Sequence, residues 1–301
     1  VNRPSALTFA IAALTCPVAA VAGDGASGNA GIAVINAHAR FPEGPLLSGN
    51  ALYYVEYGGD FVTRWDGHDN RRIWHQAGCG PSAVVPFGAD FAITCYDSGQ
   101  LVIISKAGAT LRSYDRDAAG NALNGPNDGT TDGRGGAWFT LAGPWEPGPI
   151  VGRVVHLSAD GTLTEAATAL HYANGIVTTR EGRLYVIESE AGRIVSFRIN
   201  PDFTLSDRRL FVALYQLGEA PEVFPDGMKI GPNGHFYVGE YSSGTVLEIT
   251  MAGKIANRYA LPSAGAPNLT FSADGTIMYV TAVDDKNPKS YSGKVYAVPV
   301  R

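Results

Sequence analysis

Charge is scarce in this chain: Asp, Glu, Lys and Arg make up 17% of its 301 residues, and the net charge is −5. No stripe or cluster of Lys and Arg is present, which argues against nucleic acid as a partner. Cysteine is nearly absent, at 3 residues, without a CxxC pair or a Cys/His cluster. A thiolate metal site is thereby excluded. Long apolar runs are confined to residues 6–22, a stretch short for a membrane span and interrupted by Pro17, so no membrane association is expected of the mature chain. The GxSxG, HExxH and P-loop patterns are missing as well. Lys254 and Lys294 each follow a glycine, but Ile255 and Val295 come next, where a P-loop needs Ser or Thr.

The first residues read as an export signal. Arg3 gives a basic start, residues 6–15 are apolar, and Ala20-Val21-Ala22 is a cleavage pattern before Gly23-Asp24-Gly25. Residues 1–22 are therefore expected to be a signal peptide, and 23–301 one soluble, monomeric, exported domain, secreted or periplasmic. Cys16 falls inside the signal and lacks the small-residue context of a lipoprotein site. Cys79 and Cys95 remain, with two readings open, a disulfide or two buried thiols.

Glycine, by contrast, is abundant, at 37 residues, which favours strands joined by tight turns over long helices. A double hairpin recurs. Asn174 to Thr179, Arg183 to Glu188, Gly192 to Arg198 and Arg209 to Val212 read as four short strands separated by turn residues. The cadence returns from Asp226 and from Asn268, and earlier copies begin near Glu43, Ser82 and Asn127. That makes about six units at a period of roughly forty-five residues, the spacing of four-stranded propeller blades. The last unit shows three strands, and Gly31-Ile-Ala-Val-Ile-Asn36 supplies a spare one. An all-β six-bladed propeller is predicted, its N-terminal strand completing the last blade and leaving no open edge. Residues 141–150, with Gly143-Pro-Trp-Glu-Pro-Gly-Pro149, are too rich in proline for a central strand and read as a loop.

Four tetrads stand in phase with the repeat: Pro42-Glu43-Gly44-Pro45, Pro126-Asn127-Asp128-Gly129, Tyr172-Ala173-Asn174-Gly175 and Pro225-Asp226-Gly227-Met228. Each alone reads as a turn ahead of a strand. Together they put one oxygen-bearing side chain at the start of successive channel-lining strands. The equivalent positions are Glu43, Ser82, Asn127, Asn174, Asp226 and Asn268. Carboxylates and amides without His or Cys suit a hard cation, with Ca²⁺ ahead of Mg²⁺. Asn268-Leu269-Thr270 is also a glycosylation sequon, expected to be unmodified at the start of an inner strand.

The set Glu-Gly-Pro, Pro-Asn-Asp-Gly, Ala-Asn-Gly-Ile and Pro-Asp-Gly-Met resembles the pattern of the senescence-marker-protein, gluconolactonase and regucalcin family. Pro267-Asn268-Leu-Thr-Phe271 with Tyr279-Val-Thr281 resembles that family's last-blade signature. The resemblance implies one axial divalent cation, usually calcium and in some members zinc, and hydrolysis of a lactone or related ester. It implies Glu43, Asn174 and Asp226 as metal ligands, Asn127 as an amide at both metal and substrate, and Asp226 as general base. Sugar-lactonase members commonly carry Arg two residues before the Asn of the Asn-Asp pair; here Gly125 stands there. The substrate-contacting expectation comprises Asn127, Trp145, Glu146, His171 and Asn268. A fluorophosphatase-like phosphotriesterase and a non-catalytic calcium-stabilised binding propeller are the competing readings.

Overall fold

A computed structural model describes residues 31–145, 148–285, 287 and 290–301. The expected signal peptide and Glu146 lie outside these residues. The described chain forms six antiparallel four-stranded sheets arranged as propeller blades. Five blades run in sequence order from an inner strand outward, the inner strands being Pro42–Ser48, Pro81–Phe87, Pro126–Thr131, Ala173–Thr178 and Pro225–Ile230. The sixth starts at Gly265–Phe271, and its outermost strand is Ala33–Arg40 from the other end of the chain. That strand pairs antiparallel with Ser292–Pro299, Ala33 opposite Ala297 and Arg40 opposite Ser292. The closing strand is thus longer than Gly31 to Asn36 and shifted toward the first blade. Among the described residues, helix is limited to the short 3₁₀ turns Tyr57–Gly59 and Leu214–Leu217.

Burial explains the sequence pattern. Blades stack face to face, so a second strand such as Ala51–Glu56 is covered on both faces and reads as a continuous apolar run. A rim strand such as Thr110–Tyr114 is exposed along most of its length and carries polar residues. The core is accordingly divided into clusters between neighbouring blades. Tyr53, Val55, Phe91 and Ile93 join the first blade to the second. Val154, Ile176, Val186 and Phe197 join the third to the fourth around Trp138. Each large side chain so buried contributes about 1.5–3 kcal/mol. The cluster that closes the ring is the smallest, with Ala39, Leu52, Tyr54 and Val295 fully buried. Polar ties supplement it: Asn36 Nδ2 donates to the Tyr54 hydroxyl at 2.8 Å, and Asn70 Nδ2 to the Ile35 carbonyl at 3.0 Å.

The four tetrads are not turns. Apart from Tyr172, which directly precedes its strand, they lie inside inner strands, and every inner strand carries a register break near its start. In the fourth blade Ala173 faces Glu188 and Ile176 faces Val186, so the inner strand holds one residue more than its partner. The same extra residue occurs between Pro225 and Met228 and between Pro126 and Gly129. Such β-bulges twist a strand locally and redirect a side chain.

Candidate active site at the channel mouth

The bulges place Asn127, Asn174 and Asp226 within the irregular step, with Glu43 at the corresponding edge of its own. All four line one cavity of about 230 Å³. Tight approach of adjacent blades is what permits this. A Cβ on Gly175 would stand 2.5 Å from the Asp226 carbonyl oxygen, and one on Gly227 would stand 2.1 Å from Asn268 Cγ. The glycine of each of these tetrads therefore serves close contact with the next inner strand.

Glu43, Asn174 and Asp226 are buried. Burial, then the nearby Asp226, push the Glu43 carboxyl well above the usual carboxylate range, against the lowering effect of the Gly44 backbone N–H. Asn174 Oδ1 has no hydrogen-bond partner. Two like charges and an unsatisfied amide oxygen in one buried place are costly unless a cation joins them. Among the described residues no group of three or more His, Cys, Asp and Glu side chains is placed to hold a metal. An ion here would need the amides as well as the two carboxylates, and oxygen donors of that mixture fit a hard divalent cation.

The other predicted positions behave differently. Ser82 lines the cavity, yet its Oγ lies 2.9 Å from the carbonyl oxygens of both Pro126 and Asn127, and Thr94 Oγ1 lies 2.6 Å from the latter. The hydroxyl ties the second blade to the third, as Ser189 Oγ ties the fourth to the fifth through the Pro225 carbonyl at 2.6 Å. Asn268 is out of phase with the tetrads. Gly265 faces Val283 and Asn268 faces Thr281, so Ala266 is the true counterpart of Glu43 and Asn174. Asn268 is displaced below the cavity, where its side chain bonds Asp128 and touches Glu43. His171 is not among the cavity-lining residues either: its backbone N–H donates to Glu188 Oε1 at 2.9 Å, and the neighbouring Tyr172 lines the cavity instead.

Trp145 stands at the mouth, 45% exposed. Its ring centroid lies 4.6 Å from Tyr172, 5.4 Å from Phe224 and 6.2 Å from Tyr241. Opposite, Phe41 contacts Tyr57 at 5.3 Å, Tyr291 at 5.6 Å and Tyr241 at 6.1 Å, which joins the two groups into one aromatic collar. Sequence reasoning missed most of it. A signal existed: Tyr57, Tyr96 and Tyr241 each directly follow the second strand of a blade, after Glu56, Cys95 and Glu240. The phenols are held protonated. Burial followed by Asp226 raises Tyr241 to about 12, and burial raises Tyr57, Tyr96 and Tyr172. Cys79 and Cys95 form a disulfide, with Cα atoms 4.7 Å apart, immediately before Gly80 and Tyr96.

The profile of the SMP-30/gluconolactonase/LRE-like region matches residues 41–284. A pentonolactonase of Haloferax volcanii is 26% identical over 260 residues, covering 82% of this chain and 83% of its own. Among solved structures, a gluconolactonase from Xanthomonas campestris superposes with a TM-score of 0.72 at 23% identity, over 90% of this chain and 89% of that one. A calcium-binding protein, regucalcin, from Agrobacterium tumefaciens superposes with a TM-score of 0.71 at 15% identity, over 88% and 92%. These two likenesses establish the shared fold. With the family profile spanning all six inner strands, the chain belongs to the SMP-30/gluconolactonase/LRE-like family.

Proposed function

We propose that this protein hydrolyses a lactone or related ester at the mouth of its channel, with a divalent cation held by Glu43, Asn127, Asn174 and Asp226. The observation that carries the reading is the buried pair Glu43 and Asp226 beside the partnerless Asn174 Oδ1, all opening on one cavity. Calcium is the proposed ion, because an irregular set of carboxylate and amide oxygens suits it better than magnesium. Bound there, the cation would polarise the substrate carbonyl and offset charge developing on its oxygen. Family membership and the pentonolactonase relative support the choice of chemistry.

The chain's own residues supply the rest. Asp226 accepts the proton of the attacking water as the new bond to the acyl carbon forms. It returns that proton to the ring oxygen as the acyl–oxygen bond breaks, so the product is a hydroxy acid. The Asn127 amide sits where it can orient the substrate, its backbone fixed by Ser82 and Thr94. Export to an oxidising compartment belongs to the same proposal, and the Cys79–Cys95 disulfide supports it.

The test is a pH-stat assay on γ- and δ-lactones, aryl esters and a fluorophosphate, with and without chelator. Lactone or ester hydrolysis that chelator abolishes and calcium restores is the expected result. Turnover insensitive to chelator would overturn the cation's role, and turnover of the fluorophosphate alone would move the enzyme to another class.

A further inference from the structure

We infer that the substrate is a neutral lactone or ester bearing an apolar substituent, an alkyl chain or aryl ring, in preference to a polyhydroxylated sugar lactone. The inference rests on the hydrolase reading above and concerns only what the collar recognises.

Three independent features of the wall carry it. The first is composition: among the described residues, the cavity is lined by aromatic rings and contains no Lys, Arg or His. A carboxylate or phosphate on the substrate would find no cationic side chain there. The second is that five hydroxyls of the wall are already engaged within the protein. The Tyr57 hydroxyl bonds Asp97 Oδ1 at 3.0 Å, the Tyr96 hydroxyl bonds the Gly143 carbonyl at 2.8 Å, and the Tyr172 hydroxyl bonds Tyr96 at 3.1 Å. Ser82 and Ser189 are bound to backbone carbonyls. A polyol entering the collar would lose water and find these five hydroxyls already engaged, whereas an apolar group gains from burial.

The third feature is backbone conformation. The residue directly before an inner strand is left-handed in four blades: Phe41 at φ 50°, Gly80 at 55°, Gly125 at 62° and Tyr172 at 55°. Glycine meets that demand without strain. Phe41 and Tyr172 meet it against steric preference, as does Tyr291 at φ 43°. Three of the seven non-glycine residues with positive φ among the described residues are thus collar rings, each held there against its steric preference. At Gly125 the reverse holds. A Cβ there would lie 2.8 Å from the Gly143 carbonyl oxygen and 3.0 Å from the Tyr96 ring. The collar therefore occupies the room that an arginine at this position would need for a sugar hydroxyl or carboxylate.

The test compares γ-nonalactone with a pentono-γ-lactone, two substrates with the same reacting ring. It is paired with calorimetric binding of two non-hydrolysable ketones, 2-pentylcyclopentanone and cyclopentanone. The calcium-loaded protein should show kcat/KM at least ~10-fold higher for γ-nonalactone, and bind the pentyl ketone at least ~10-fold tighter than the unsubstituted one. Trp145→Ser, a change at an exposed position, should erase most of both preferences. Preferred turnover of the pentono-γ-lactone would overturn the inference and leave the hydrolase reading standing. Turnover of neither lactone would count against that reading, and the ketone pair would then decide the inference alone: equal affinities would overturn it.

Discussion

Asn268 on the sixth blade donates from Nδ2 to Asp128 Oδ2 on the third, 3.3 Å away across the channel axis. Lys229 Nζ, from the fifth blade, lies 3.6 Å from the same oxygen. Three blades are thus joined by polar side chains at Asp128. Asn268→Ala leaves part of a buried carboxylate unpartnered, which costs about 1–3 kcal/mol. Calorimetry should show Tm lowered by roughly 2–8 °C, with KM changed far less than stability. A large rise in KM at unchanged Tm would instead place Asn268 against the substrate.

Asp226 and Asn174 should separate kinetically. Asp226→Asn is expected to lower kcat by roughly 10²–10⁴-fold with KM moving only a few-fold. Asn174→Ala is expected to weaken calcium by roughly 10–100-fold and to recover its kcat when calcium is saturating. Titration calorimetry and steady-state kinetics on both variants check this, and full activity in Asp226→Asn would remove it as the base.

Glu240 gives a pH signature of stability. Its counterparts at the ends of second strands have arginine partners: Glu56 bonds Arg72, and Glu188 bonds Arg193 and Arg208. Glu240 meets the Ser243 hydroxyl, and its Oε1 has no partner. Burial pushes it up to about 7. A carboxyl whose pKa rises on folding favours the native state while protonated. Its contribution is fully present below about 4.5 and is lost as pH rises through about 7. Glu240→Gln should therefore raise Tm by about 4 °C at pH 8 and have little effect near pH 4.5, as read by thermal melts across that range.

The Cys79–Cys95 bridge closes a loop with a sequence separation of 16. Replacing both cysteines with serine should destabilise the protein by about 3 kcal/mol. Because Tyr96 directly follows Cys95, the variant should also show altered affinity for the pentyl ketone. A Tm unchanged from the parent would show that the bridge constrains nothing.

Repeat phase was legible because blade equivalence leaves a fixed spacing, and it led to Glu43, Asn127, Asn174 and Asp226. Register was not. A β-bulge is a relation between two strands, so the sequence of Gly265–Phe271 alone could not show that Asn268 falls two residues beyond the tetrad position. For the same reason Ser82 stood in phase with the donors, although its hydroxyl is taken up by Thr94 of its own blade and by the Pro126 and Asn127 carbonyls of the next. The collar escaped because its rings come from the residues flanking strands and from the 141–150 loop, where no alternation marks them. His171 is not among the cavity-lining residues, whereas its neighbour Tyr172, in the left-handed region, is, and the His171 backbone N–H donates to Glu188.

The closing strand gives the site a place in the order of folding. Ala33 meets Ala297, so the sixth blade is complete only when the two ends of the described chain have come together. Glu43 and Asp226 sit on the first and fifth blades with that late blade between them. No run of consecutive blades that stops short of closure can present the pair correctly spaced. A cation bridging them would bind the closed ring and not its open precursors, acting as a latch whose binding energy adds directly to the stability of the smallest interblade core. Refolding would then accelerate little with calcium, while unfolding that parts this seam would slow in its presence.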